Sequence, residues 1–139
     1  MWRFNSEALA EALKEKRARS QLSHKQFAEK VGTPTVNIAQ AEKGIARLSR
    51  FCRFCDWLNV NPNALLRINN LDVGRVRDSV VLAARRKRGD HTIAETIKGT
   101  KLSEADFSKS MNNHYQDLEL AIMLCRLADV DFSEMFVCS

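Results

Sequence analysis

The sequence predicts an all-α fold made of two related halves, and three observations lead there. Glycine and proline are scarce, five and two in 139 residues, so turns are few and helices are favoured over a turn-rich β-fold. Apolar residues recur at helical spacing along most of the chain, with 45% hydrophobic content to build a core. The pattern then repeats. Shifted by 70, Leu48, Cys55, Val60, Leu65 and Leu66 fall on Leu118, Cys125, Val130, Met135 and Phe136. Shifted by 66, Phe27, Ala28, Glu29 and Val31 fall on Ile93, Ala94, Glu95 and Ile97. Two copies of about five helices each follow, the second degenerate. The expected division is 1–68, a junction at 69–74 inside "RINNLDVG", and 75–139.

The elements of the first copy follow in order. Leu9, Ala12 and Leu13 share one face of a helix over 5–20, with Asn5 or Ser6 as its cap. Ser23 caps a short helix over 24–31 whose Phe27, Ala28 and Val31 face inward. A third helix, 34–43, opens on "TP", with Thr33 as cap and Pro34 at the first position, where a missing N–H does no harm. Gly44 suits a left-handed stop. A fourth helix, about 48–58, sets Phe51, Phe54, Cys55 and Leu58 along one stripe, and Asn61-Pro62 opens a last turn carrying Leu65 and Leu66.

Charge is distributed unevenly. Residues 1–68 hold 12 Lys/Arg against 6 Asp/Glu, a net of +6, whereas 69–139 hold 10 against 11, a net of −1. Within the second half, 75–101 is +5 (8 against 3) and 102–139 is −5 (2 against 7). A concentrated positive field favours a polyanionic partner. No apolar run approaches the ~18 residues of a membrane span, and the start "MWRFNSEALAEALKEK" has no apolar signal core. A cytoplasmic chain is expected, with its four cysteines reduced.

The third helix carries the chemistry. With Ile38 as the inward pole, 100° per residue turns Pro34, Ala41 and Glu42 toward the core. Val36 and Gln40 then point outward with Lys43 nearby, and Thr35 and Asn37 flank the exposed N-terminal end. Leu22-Ser23, Phe27-Ala28, Val31-Gly32, Ile38, Glu42 and Gly44, followed by "WLNVNPNALL" (57–66), resemble the phage-repressor and Cro-like helix-turn-helix family, also called XRE-like. The resemblance covers about 60 residues in order and spacing, with Pro34 and Ala41 as departures. It implies a lambda-repressor-like DNA-binding domain whose second motif helix enters the major groove. Gln40 or Asn37 would then pair with adenine, and Val36 and the Thr35 methyl would touch thymine methyls. The bland alternative is a set of tolerated surface residues.

His24 and Lys25 at the start of the second helix, and Lys43, Arg47 and Arg50 after the third, are the expected phosphate contacts. Each could equally be solvated charge. Residues 92–113, "TIAETIKGTKLSEADFSKSMNN", resemble the helix-turn-helix of phage CII-type activators. The spacing differs: Val31 to Ile38 is seven residues, Ile97 to Phe107 ten. Glu104 and Asp106 on the would-be reading face oppose phosphate, while Lys109, Asn112 and Asn113 are compatible with it. Arg85, Arg86, Lys87 and Arg88 could hold backbone or simply terminate a helix against its dipole. Dimerisation or partner binding is the favoured role of this half.

Cys52 and Cys55 have redox or zinc spacing but lie within an amphipathic helix, so buried thiols are expected, with a redox switch left only to an exposed Cys52. His24, His91 and His114 are scattered, and no catalytic constellation, phosphate loop, metal site or cofactor site is expected. Trp2 and Phe4 either pack on the domain or make a dimer contact.

The resemblance implies a transcriptional regulator from a bacterium, phage or plasmid. The expected role is a repressor that occludes a promoter and binds double-stranded DNA as a homodimer on half-sites about one helical turn apart. Two copies in one chain also permit a pseudo-dimer on unequal half-sites. The rival reading is a protein-interaction module of antitoxin or inhibitor type with autoregulatory DNA binding; a redox enzyme using the Cys pair is a third.

Overall fold

The computed structural model describes residues 1–44, 48–112 and 115–139, and it is predominantly helical. Its elements are β1 (Trp2–Phe4), α1 (Ser6–Ser20), α2 (His24–Val31), α3 (Thr35–Glu42), α4 (Ser49–Leu58), α5 (Pro62–Ile68), α6 (Val73–Arg88), α7 (Ile93–Ile97), α8 (Glu104–Met111) and α9 (Gln116–Leu127). A 3₁₀ turn at Phe132–Glu134 and β2 (Phe136–Cys138) complete the chain.

Side-chain caps start most of the helices. Asn5, Ser23, Asn61, Asp72, Thr92 and Ser103 each accept a first-turn backbone N–H. Ser23 with Gln26 and Ser103 with Asp106 form reciprocal capping boxes. Thr33 does not cap α3 as its position predicts. Pro34, extended at ψ 144°, is the boundary residue, and the Thr33 hydroxyl accepts from Asn37 Nδ2 at 2.7 Å instead. Pro34 is exposed and not turned inward.

The repeat by 70 reappears as repeated backbone. Asn59 and Asp129 end α4 and α9 in the left-handed region, at φ 57° and 59°. Val60 N–H then reaches back to the Cys55 carbonyl at 3.0 Å, and Val130 N–H to the Cys125 carbonyl at 2.9 Å. Asn61 and Asp131 next accept from the N–H of Asn63 and Ser133, at 2.9 and 3.0 Å. The same turn is built twice from different residues of like hydrogen-bonding capacity.

Packing does not follow the division read from the sequence. α4 lies on α6 and α8, whereas its counterpart α9 lies on α1 and α2. Phe107 of α8 contacts Phe54 and Trp57 of α4 with ring centroids 5.6 and 5.8 Å apart. Arg53 of α4 binds Asp106 of α8 at 2.9 Å. The exchange is tied at both ends: Lys16 Nζ meets Asp129 just past α9 at 2.7 Å, and Lys87 Nζ meets the Trp57 carbonyl of α4. One apolar core runs through both halves. The 69–74 segment is no free linker: Asp72 caps α6, which begins at Val73, and Asn69 Nδ2 bonds back to the Leu65 carbonyl at 2.8 Å.

A two-stranded antiparallel sheet, absent from the sequence reading, pairs Trp2 with Cys138 and Phe4 with Phe136. Phe4 is buried against Phe132 and Phe136, which assigns it to the domain interior. Trp2 is half-buried and donates its backbone N–H to Asp56 at 2.9 Å.

Candidate nucleic-acid interface

α2 and α3 are joined by a three-residue turn, 32–34, opened by Gly32 at φ 77°. Its N–H closes α2 on the Ala28 carbonyl at 2.9 Å, and a β-carbon there would strain the backbone although space is open. Both helices pack closely on each other, and α3 also packs on α1.

α3 is fixed through the three residues that helical periodicity turns inward. Ile38, Ala41 and Glu42 are all buried. Glu42 is charged, and Arg17 of α1 answers it with two bonds of 2.9 Å, Nε to Oε2 and Nη2 to Oε1. Burial pushes the Glu42 carboxyl up, but the Arg17 guanidinium and the His24 ring outweigh it and hold its pKa below the ordinary value. The hydrogen bond to Glu42 correspondingly raises Arg17. This ion pair joins α1 to the C-terminal end of α3, and no local sequence signal announces it.

With that side locked, Thr35, Val36 and Lys43 are exposed. Val36 leaves 55% of its surface open, a high value for an apolar side chain on an anchored helix. Asn37 and Gln40 differ from expectation. Both are half-buried on the flank that faces the start of α9, where they line a cavity with Gln116 and Asp117. Asn37 commits one amide hydrogen to Thr33. Helical geometry gives an angle relative to the helix's own core; it is silent about α9, which arrives from the other end of the chain.

The proposed phosphate contacts separate in the same way. Lys25 is exposed in the first turn of α2. His24, beside it, turns its Nε2 to Glu42 at 3.3 Å, so it acts within the α1–α3 ion-pair cluster. Arg50 is half-buried near Tyr115, and Arg47 lies outside the described residues.

In the second half, the turn between α7 and α8 spans 98–103, longer by the three residues that the spacing implies. Asp106 does not oppose phosphate from an outer face: it points inward to Arg53 and closes the Ser103 capping box. Glu104, Lys109 and Asn112 are exposed, and Asn113 lies outside the described residues. Of the basic run, Arg85 and Arg86 are exposed at the end of α6. Lys87 rests over the Trp57 ring at 5.0 Å, and Arg88 over Phe107 at 5.9 Å with Nε on the His91 carbonyl at 2.8 Å. Those two therefore serve the α4–α6–α8 seam.

Cys52, Cys55 and Cys125 are buried, and Cys138 is exposed. Burial pushes the Cys52 thiol up to about 11 and Cys125 to about 12, and drives Cys55 higher still. Buried neutral thiols are poor nucleophiles, and the exposure that a Cys52 switch requires is missing. Among the described residues no group of three or more His, Cys, Asp or Glu could hold a metal ion, and no helix is long and apolar enough to cross a membrane. Comparison with protein-family models, curated protein sequences and solved structures gives no match to this chain.

Proposed function

We propose that the chain is a sequence-specific, double-stranded-DNA-binding transcriptional regulator that enters the major groove with the N-terminal half of α3. The observation that carries this reading is the state of that helix. Its inner side is locked by Ile38, Ala41 and the Arg17–Glu42 pair, while Thr35 and Val36 stand exposed at its free end. An exposed valine suits a thymine methyl, and Thr35 offers both a methyl and a hydroxyl. Lys25 and Lys43, exposed on either side, suit the flanking phosphates, within a half of net charge +6. Gln40 reads from the rim of the groove beside α9, and Asn37 holds Thr33 in the turn. The role is that of a cytoplasmic repressor acting by occlusion of a promoter, without catalysis.

The exchange of α4 and α9 favours binding by one chain that carries both motif-like pairs, α2–α3 and α7–α8, over a homodimer of separable heads. In this scheme α8 gives backbone contact through Lys109, and Arg85 and Arg86 add charge. Two exposed apolar side chains of the second half, Leu82 and Met123, favour a second reading in which a protein partner docks there, as in an antitoxin or inhibitor.

Random-site selection with the full chain tests the proposal. It should return one preferred element, and Thr35→Ala with Val36→Ala should flatten the preference at one or two positions. Lys43→Ala should weaken all sequences alike and make the salt slope shallower by about one. A chain that ignores sequence at moderate salt overturns the assignment.

A further inference from the structure

The exchanged helices create two equivalent seams, and the described residues fill one more closely than the other. In the first, α4 meets the end of α8 and the start of α9. Arg50, Phe51, Phe54, Ser110 and Tyr115 crowd it and leave about 20 Å³. The 70-residue shift carries Arg50, Phe51 and Phe54 onto Leu120, Ala121 and Leu124 of α9. Equating Phe107 with Ile38, a shift of 69, carries Ser110 onto Ala41 of α3. All four of those replacements line the second seam, between α9 and α3, where a cavity of about 350 Å³ opens. Two phenyl rings have been traded for a methyl and an isobutyl group at matched positions, and nothing among the described lining residues has grown to compensate.

That volume lies within the range of small-molecule sites, and the lining has the composition of one. Leu9, Leu48, Leu120, Ala121 and Leu124 make an apolar floor. Thr33, Asn37, Gln40, Gln116 and Asp117 bring polar groups to its edge, and Asp117 carries the one formal charge among the described lining residues. An anionic head is disfavoured there and a cationic one favoured.

We propose that this cavity is a binding site for a small aromatic ammonium compound, its ring in the space that Phe51 and Phe54 fill at the other seam and its ammonium group at Asp117. Because Asn37 and Gln40 form one wall, an occupant fixes the flank of α3. Binding itself does not rest on α3 reading bases.

The test titrates the full ¹⁵N-labelled chain, without DNA, against 2-phenylethylammonium and against phenylacetate, which has a similar ring and the opposite head charge. Saturable shifts of α3 and α9 amides with the amine, and at least tenfold weaker binding of the acid, are expected. Ala121→Phe restores the residue type of the filled seam; it should abolish binding and raise the melting temperature. Asp117→Asn, an exposed change that leaves the core intact, should weaken the amine severalfold and narrow its advantage over the acid. The proposal fails if the amine gives no saturable shift in the millimolar range, if the acid binds as well, or if the shifts survive Asp117→Asn unchanged.

Discussion

Glu42 is a buried carboxylate held by an arginine that is itself 28% exposed, and that asymmetry decides what its loss does. Arg17→Ala leaves the charge with His24 alone and should cost about 3 kcal/mol, the lower end for breaking a buried pair. Urea unfolding at neutral pH measures it. The acid dependence follows from the net lowering of the Glu42 pKa. A depressed folded value adds stability that is complete above the ordinary value of 4.5 and is lost as pH falls through the lower folded value. Glu42→Gln should therefore lower stability near neutrality and flatten its decline in acid, with Asp106, also lowered on balance against burial, supplying a remaining part. The thiols give a second check. At neutral pH the native chain should react quickly with a thiol reagent at Cys138 only, and at all four cysteines once unfolded in guanidinium. Much of this scale is legible in sequence: 100° steps from Ile38 send Ala41 and Glu42 inward, as found, and Cys55 is buried as its place on the helical stripe predicts, with Cys52, which lies off that stripe, buried beside it. The partners are not legible, because Arg17 and Asp117 reach α3 through the fold and no periodicity encodes that.

The helix starts at Asn5, Ser23 and Asn61 are readable because a cap is a local event, one side chain answering an N–H two or three residues on. Thr33 misleads because Asn37, one turn later, competes for its hydroxyl. The three-residue strands β1 and β2 are too short to impose an alternating pattern, and they exist because the chain brings them together. α8 shows how the same local rules serve a different end. Its three extra turn residues are visible in the spacing, but their consequence is tertiary: Phe107 sits between Phe54 and Trp57 of α4. Phe107→Ala should cost about 3–5 kcal/mol by the cavity it leaves. Ser103→Ala, which removes only one side of the capping box, should cost about 1 kcal/mol. Denaturant midpoints of the two variants separate the contributions: a larger loss for Ser103→Ala would mean that α8 is held by its cap and not by the aromatic seam.

At the scale of the whole molecule, the internal repeat and the helical class were open to reading, whereas the exchange of α4 and α9 was not. A repeat tells which segments are alike but not which copy a segment packs against, because either choice buries the same stripes. The exchange changes what each half can do. A fragment of residues 1–68 keeps α4 but loses the α6 and α8 surfaces that cover Phe54 and Trp57, and its α1 and α2 lose α9. The complementary fragment loses the mirror set. The full chain should therefore unfold in one cooperative transition, with far-ultraviolet and near-ultraviolet signals coincident, because one buried core includes residues from both halves. Each fragment alone should show a broad, low transition or associate with itself, and mixing the two should restore a sharp one through the same exchanged contacts. Two independent transitions in the intact chain, or a cooperative monomeric fragment of 1–68, would mean that the exchanged packing is dispensable. The single-chain mode of DNA binding would then lose its structural basis, while the exposed Thr35 and Val36 of α3, a helix packed on α1 and α2, would keep theirs.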